Sequence, residues 1–122
     1  MLNLDTHIVL RSLAGTLTTA LRRKMTADPA WSVSAIVLWE IGKLFQLGRI
    51  SVGLDDPGIV GFVASVHVWP IDLDVCRQAT RLDFRSDPAD EIIAATSIFH
   101  RIPLVTRAPQ VRRSKVVPLA GS

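Results

Sequence analysis

The fold is decided by residues 31–48, which have the sequence WSVSAIVLWEIGKLFQLG. Trp31 to Ser34 predict a short strand, and the apolar spacing that follows predicts a helix ending at Gly48. A short strand that leads directly into a helix is typical of chains in which helices connect parallel strands. The same alternation is therefore expected on both sides of this segment.

The alternation of strands and helices continues through the rest of the chain. Further strands are predicted at residues 1–4, 66–71 and 102–106, with a last edge strand at 116–119. Further helices are predicted at residues 8–13, 16–27, 57–65, 74–83 and 87–100. This pattern indicates an α/β domain with a mostly parallel sheet, because parallel neighbours need helical crossovers. Ligands of such sheets bind beyond the carboxyl ends of the strands.

The composition restricts the class of protein. With 122 residues, 48% of them hydrophobic and 20% charged, the chain is expected to form one globular domain over residues 1–122. The apolar runs are too short for a membrane span and no signal sequence is recognisable, so a soluble, cytoplasmic protein is expected. The single cysteine, Cys76, excludes an internal disulfide and a cysteine-based zinc site. A formal net charge of +3 favours a polyanionic partner.

Two acidic residues stand in apolar surroundings in the first half of the chain. Asp5 directly follows the first predicted strand, where it can face the ligand crevice or cap the next helix. Glu40 lies on the apolar face of the helix that ends at Gly48. A buried carboxylate needs a cation, a hydrogen-bond donor or a metal ion beside it, or a place at the open rim of the core. An ordinary ion pair of Glu40 with Lys43 or an arginine is the alternative.

Two more acids stand at the start of the last long helix, in the sequence Asp87-Pro88-Ala89-Asp90. Aspartate before the helix, proline at its first position and aspartate at its third are typical of a stable helix start. Asp90 also shares a helix face with the small residues Ala94 and Ser97, which would let a backbone or a metal ion come close. A capping role and a ligand role are therefore both open for these acids.

Together, the acids suggest a metal site. Several carboxylates would meet at a rim formed by strand ends and helix starts, and Mg²⁺ and Mn²⁺ prefer such oxygen ligands. One or two of these ions can activate water and stabilise the charge that develops in phosphodiester hydrolysis. The basic clusters of the chain would then hold the phosphate backbone.

Several motifs resemble those of the PIN-domain ribonucleases, and in particular of the VapC-type toxins of bacterial toxin–antitoxin pairs. The similarity extends over nearly the whole chain and depends on the order and spacing of the motifs. They are LDTH at 4–7, VSA at 33–35, LWEI at 38–41, Lys43 with LG at 47–48, DPAD at 87–90, IIAAT at 92–96 and PLVT at 103–106.

The resemblance implies a small three-layer α/β/α domain and an endoribonuclease that depends on Mg²⁺ or Mn²⁺. Such proteins are usually homodimers and are neutralised by a VapB-like antitoxin. The implied catalytic acids are Asp5, Glu40 and Asp90, and these residues with Asp87 as an accessory acid would bind the metal. Trp39, which lies away from the main apolar face of its helix, is a candidate contact of the dimer or the antitoxin.

The sequence departs from the family pattern after the last core strand. Ser34 and Thr106 match polar positions at the rim of the site, but Thr106 is followed by Arg107 and Ala108, where the family usually has Thr-x-Asp. Ala108 cannot bind a metal ion, so we expect weaker metal affinity and an intact fold. Compensation by Asp87, catalysis by three acids and an inactive chain are all open.

RNA phosphates would be bound by Arg107, Arg112 and Arg113, which follow the strand that borders the proposed site; a solvated tail is the alternative. Ala108 favours a second function, a non-catalytic PIN-like module that binds RNA or an antitoxin. A phosphate-accepting receiver domain is a third possibility. It would require an acidic pair where Asp5 stands alone and a lysine in place of Arg107.

Overall fold

Four short strands form one sheet within residues 1–121, the part of the chain that the computed structural model describes. They are β1 (Leu2–Leu4), β2 (Trp31–Ser34), β3 (His67–Trp69) and β4 (Leu104–Val105). Their order in the sheet is β3-β2-β1-β4, and all three pairings are parallel. The predicted parallel sheet is therefore confirmed.

Helices make every connection between consecutive strands. The first connection contains α1 (Thr6–Ala14) and α2 (Thr19–Ala27), the second α3 (Ala35–Gln46) and α4 (Pro57–Ser65), and the third α5 (Leu73–Ala79) and α6 (Pro88–His100). A short helix, α7 (Pro109–Arg112), follows β4. This is the three-layer α/β/α architecture expected from the sequence.

The strand order reverses beside β1, and this reversal positions the site. The chain places β2 and β3 on one side of β1 and then returns to place β4 on the other, with Asn3 opposite Leu104 and Leu4 opposite Val105. In open α/β sheets, such a reversal leaves a crevice beyond the carboxyl ends of the two strands. Asp5 and Thr106 are the first residues after β1 and β4, so the fold brings them together.

Apolar side chains of the sheet pack against α1, α3 and α6. Fully buried examples from these elements are Leu4, Ile8, Val33, Ile41 and Ile93. The core also contains Asn3, whose Nδ2 donates to the Ser97 hydroxyl at 2.9 Å, so that this buried amide has a partner. The packing fixes β1, α3 and α6, which carry acidic residues to the same edge of the sheet.

The end of the chain corrects one predicted strand. Residues 116–119 do not form a strand, and only a single bridge joins Leu119 to Leu104. Pro118 has no N–H to donate, although its carbonyl accepts the Leu104 N–H at 2.8 Å. The predicted domain of residues 1–122 also includes Ser122, which lies outside the described residues.

Other differences concern the ends of elements. The helix predicted at 16–27 begins at Thr19, because the Thr18 hydroxyl caps it by accepting the Leu21 N–H at 3.3 Å. The helix predicted at 74–83 spans Leu73–Ala79. The strands predicted at 66–71 and 102–106 are shorter, and Pro70 ends the first because it cannot donate to the sheet. No helix within residues 1–121 has the length and apolar character needed to cross a membrane.

Candidate metal and nucleic-acid site

Asp5 is held by hydrogen bonds at both carboxylate oxygens. It is the N-cap of α1, and its Oδ1 accepts the Ile8 N–H at 2.9 Å. Its Oδ2 accepts the hydroxyl of Thr106. Only 6% of Asp5 is exposed. The carboxylate therefore cannot rotate freely, and it caps a helix and faces the crevice at the same time.

The electrostatics of Asp5 reflect its burial and its acidic neighbour. Burial raises the pKa of the Asp5 carboxyl above its ordinary value, although the hydrogen bond from Thr106 lowers it. The negative charge of Asp90 also raises the pKa of Asp5. A cation between these carboxylates would relieve both effects, because it stabilises the ionised form.

Thr106 connects the two strand ends through its side chain. The buried hydroxyl donates to Asp5 and accepts the N–H of Ala108 at 3.1 Å. The hydroxyl thus uses its donor and one acceptor position within the protein. Thr106 therefore positions Asp5 and fixes the start of the segment that carries Ala108.

Glu40 and Ser34 belong to α3 and its cap. Glu40 is half-buried, and its Oε1 accepts the hydroxyl of Thr6. Lys43, the alternative partner, instead donates to Gln46 at 2.9 Å. Ser34 is fully buried and caps α3 by accepting the Ile36 N–H at 3.2 Å. The structure thus places Glu40 at the rim of the core, whereas Ser34 is buried at the end of β2 and does not line the pocket described below.

The two acids of α6 occupy its first turn. Asp87 stands at the N-cap position but makes no capping hydrogen bond through its side chain. By contrast, Asp56 caps α4 by accepting the Gly58 N–H at 2.9 Å, and Asp72 caps α5 by accepting the Val75 N–H at 3.0 Å. The Oδ2 of Asp90 accepts the hydroxyl of Ser86 at 2.9 Å. Helix capping therefore does not account for the carboxylate of Asp87.

The four predicted acids line one open pocket of about 480 Å³ at the carboxyl edge of the sheet. We call it the acidic pocket. Its walls are formed by Asp5, His7, Ile8, Arg11, Glu40, Asp87, Asp90, Arg107, Ala108, Pro109 and Gln110. Four carboxylates face two guanidinium groups there, so the pocket has an excess of negative charge. A cation is the ligand class that this excess favours.

The donor set of the acidic pocket suits a hard, hydrated divalent cation. All four acids offer carboxylate oxygens, which Mg²⁺ and Mn²⁺ prefer, and neither cysteine nor a pair of histidines is present in the pocket. Within residues 1–121, however, no three acidic, histidine or cysteine side chains are close enough to enclose an ion directly. Mg²⁺ keeps several water ligands and is usually bound through one or two protein carboxylates, so it does not require three such side chains around the ion.

Ala108 lies in the wall of the acidic pocket. It occupies the N-cap position of α7, and its methyl side chain provides no capping hydrogen bond. Ala108 therefore provides neither a carboxylate to the pocket nor a side-chain cap to α7.

The three predicted RNA-binding arginines are placed differently. Arg107 is exposed and lines the acidic pocket. Arg112 lies in a neighbouring pocket, where its guanidinium donates to the Thr106 carbonyl at 3.1 Å. Arg113 is exposed beyond α7 and lines neither pocket.

His7 and Arg11 also line the acidic pocket, and neither of these basic side chains was predicted as a site residue from the sequence. They are four residues apart on α1, so helical spacing places them on one face, directly after Asp5. That spacing was the available signal. Trp39 is 59% exposed on α3, away from the core.

Comparison with known proteins identifies relatives of this fold. The model of the PIN domain family matches residues 3–114. No curated protein gives a significant match to the sequence.

Three solved structures are similar to this chain. One is a toxin-antitoxin complex from Klebsiella pneumoniae, with 18% identity, a TM-score of 0.70, and 93% of this chain and 91% of that chain covered. Another is VapBC2 from Rickettsia felis bound to a promoter DNA fragment, with 15% identity, a TM-score of 0.75, and 98% and 97% covered. The third is DNA-bound VapBC from Salmonella typhimurium, with 14% identity, a TM-score of 0.70, and 97% and 95% covered. The TM-scores show that these proteins share the fold of this chain, and at such low identities the similarity shows the fold alone.

Proposed function

The chain belongs to the PIN domain family, and we propose that it is a VapC-like toxin, a metal-dependent endoribonuclease that hydrolyses RNA phosphodiester bonds. PIN domains of the VapC type are generally nucleases. The observation that carries the proposal is the acidic pocket, in which carboxylates from the end of β1, from α3 and from the start of α6 meet.

Asp5, Glu40, Asp87 and Asp90 would hold the metal, as Mg²⁺ or Mn²⁺, directly or through water. When bound, such an ion lowers the pKa of a water molecule and stabilises negative charge on the phosphate. We assign catalytic roles to Asp5, Glu40 and Asp90, and an accessory metal-binding role to Asp87. The free carboxylate of Asp87 makes it the residue best placed to offset the missing acid at Ala108.

The protein contributes preorganisation to this chemistry. Thr106 and the Ile8 N–H hold Asp5 in one orientation, so no reorganisation of that carboxylate is needed when a ligand binds. Thr6 holds one oxygen of Glu40. The other oxygen has no hydrogen bond within residues 1–121, and we assign it to accept a proton from the attacking water and orient that water. Arg11 and Arg107 line the acidic pocket and would neutralise phosphates of the bound RNA.

The three structural neighbours are toxin-antitoxin or VapBC complexes, and this supports a VapB-like antitoxin as a partner of this chain. We also propose a homodimer and a cytoplasmic location, where the RNA substrate is found. The exposed indole of Trp39 is our candidate contact in one of these assemblies.

The test is cleavage of a mixed cellular RNA pool by the purified chain with Mg²⁺, with Mn²⁺ or with EDTA. The matched variant is Asp5→Asn, which keeps the helix cap and removes the charge. We expect metal-dependent cleavage by the parent chain that Asp5→Asn abolishes. Ala108→Asp should increase cleavage, because it places an acid at the position where the family pattern has one.

Ala108 favours the alternative function, a non-catalytic module that binds RNA or an antitoxin. The same assay separates the two functions. Cleavage by Ala108→Asp alone would mean that the site is otherwise intact and that the parent is inactive because it lacks a carboxylate at position 108. Absence of cleavage by all three folded proteins would contradict the nuclease and favour the binding module.

A further inference from the structure

A second pocket, of opposite charge, adjoins the acidic pocket. It has a volume of about 340 Å³ and is lined by Thr18, Leu21, Thr106, Arg107 and Arg112. We call it the basic pocket. It contains two arginines and no carboxylate, and Arg107 also lines the acidic pocket. The two pockets therefore lie side by side at Arg107, and their excess charges have opposite signs.

The arginines of the basic pocket have N–H groups that make no hydrogen bond within residues 1–121. Neither guanidinium is paired with a carboxylate within residues 1–121, where the ion pairs are those of Met1 with Asp28 and of Arg77 with Asp74. Arg112 uses one of its N–H groups for the Thr106 carbonyl, and an arginine has five. The remaining donors match the oxygens of a phosphate group.

Thr106 makes a hydrogen bond to a residue of each pocket. Its hydroxyl donates to the Asp5 carboxylate in the acidic pocket, while its carbonyl accepts from Arg112 in the basic pocket. Thr106 is buried between these two hydrogen-bond partners. An anion bound by Arg112 in the basic pocket would therefore lie close to the carboxylate of Asp5.

We infer that the basic pocket is a phosphate subsite, in which Arg107 and Arg112 hold an RNA phosphate that neighbours the phosphate at the acidic pocket. The inference depends on the proposed function for its substrate, RNA. Of the three predicted RNA-binding arginines, Arg107 and Arg112 belong to the subsite and Arg113 lies outside it. Arg112 is a binding and positioning residue, since Thr106 links it to Asp5.

The test compares Arg112→Gln with Arg113→Gln, two variants that each lose one positive charge at the end of α7. Binding of a fluorescent single-stranded RNA is measured by anisotropy in EDTA, over a series of salt concentrations. Arg112→Gln should weaken binding roughly tenfold, because it removes a charge-assisted hydrogen bond. It should also lower the slope of log affinity against log salt by about 0.7, the value for one phosphate of a single strand. Arg113→Gln should change both quantities less, and equal effects of the two variants would overturn the subsite.

Two further variants keep the subsite testable if Arg112→Gln does not fold. Arg107→Gln removes the other guanidinium, which makes no hydrogen bond within residues 1–121, so it should lower affinity and salt slope without unfolding the chain. Arg112→Lys keeps the charge and should retain the salt slope while losing part of the affinity. An unchanged affinity in Arg107→Gln, or a salt slope in Arg112→Lys that falls as in Arg112→Gln, would contradict the subsite.

Inorganic phosphate distinguishes a polynucleotide subsite from a site for the free anion. At constant ionic strength, millimolar phosphate should compete weakly with RNA, and complete competition would overturn the inference. The cleavage assay separates the two proposals. If the parent chain cuts RNA and Arg112→Gln binds RNA as the parent does, the subsite fails alone. If the parent does not cut RNA and binding still depends on Arg112, the nuclease fails and the subsite stands.

Discussion

Ala108 is a position at which one substitution should change both the stability of α7 and the metal affinity of the acidic pocket. Its φ of −64° and ψ of 119° are typical of an N-cap residue, but alanine cannot accept a hydrogen bond from the first turn. Aspartate and asparagine both fit this backbone, and such caps stabilise helices by about 0.5–2 kcal/mol. Because α7 is a short helix, we expect about 0.5–1 kcal/mol from either cap.

Ala108→Asp and Ala108→Asn differ in the charge that they add. The aspartate would be a fifth carboxylate beside Asp5, Glu40, Asp87 and Asp90. Two like charges about 4 Å apart in water repel by about 1 kcal/mol, which would cancel the gain from capping. Without metal, Ala108→Asp should therefore be as stable as the parent, and Ala108→Asn more stable by about 0.5–1 kcal/mol. With saturating Mg²⁺ the aspartate becomes favourable, and tenfold tighter binding adds about 1.4 kcal/mol.

The assay is urea denaturation of the three chains in EDTA and at one Mg²⁺ concentration that saturates Ala108→Asp. The decisive quantity is the gain in free energy of unfolding on adding Mg²⁺, which should be largest for Ala108→Asp and equal in Ala108→Asn and the parent. An equal gain in the aspartate and asparagine variants would refute the assignment of position 108 to the metal site. A lower stability of Ala108→Asn than of the parent would refute the N-cap argument.

Three further predictions concern other parts of the chain. Thr106→Val removes the hydroxyl that donates to Asp5 and accepts from Ala108, so it should cost about 1–3 kcal/mol in urea denaturation and reduce RNA cleavage, whereas Thr106→Ser should retain both. If Thr106→Val cuts RNA as the parent does, Thr106 does not position Asp5. The Ser114 hydroxyl and the Lys115 N–H lower the pKa of exposed Asp83, so its stabilising effect is present above its unfolded pKa and lost as pH falls through its lower folded pKa. Asp83→Ala should therefore lower the urea midpoint at neutral pH and have a decreasing effect in acid, and an effect independent of pH would contradict this. Trp39→Ala should leave the urea midpoint nearly unchanged, because the indole is 59% exposed, but should weaken the homodimer or the antitoxin complex in size-exclusion chromatography. Unchanged elution of both assemblies would exclude Trp39 as a contact.

Local sequence patterns predicted the sheet and the positions of its acids well. A short strand followed by aspartate was enough to place Asp5 at the carboxyl edge, because parallel strands end at the same edge. The sequence left a capping role and a crevice role open for Asp5, and the structure shows both, since a carboxylate has two oxygens. The sequence predicted that Glu40 has a partner beside it or lies at the rim of the core. In the structure, Glu40 accepts a hydrogen bond from Thr6 and lines the acidic pocket.

Features that depend on contacts between distant segments were not predictable from one sequence. The pattern around Asp87 indicates a capping aspartate, yet its side chain makes no capping bond, and local spacing does not encode that choice. The sequence also did not show that the buried Ser34 caps α3, which the structure does. The link from Asp5 through Thr106 to Arg112 joins residues up to 107 positions apart in the chain, so it required the fold.

Manganese binding by the purified chain tests the proposed metal site most directly. Free Mn²⁺ is followed by electron paramagnetic resonance during titration of the parent, Asp5→Asn, Asp90→Asn and a control, Asp55→Asn, whose carboxylate lies outside the acidic pocket. We predict that the parent binds Mn²⁺, that Mg²⁺ competes, and that the Asp5 and Asp90 variants bind at least roughly tenfold more weakly. The control should bind as the parent does. Equal affinities in all four chains, or no binding by the parent, would contradict a metal site formed by these carboxylates.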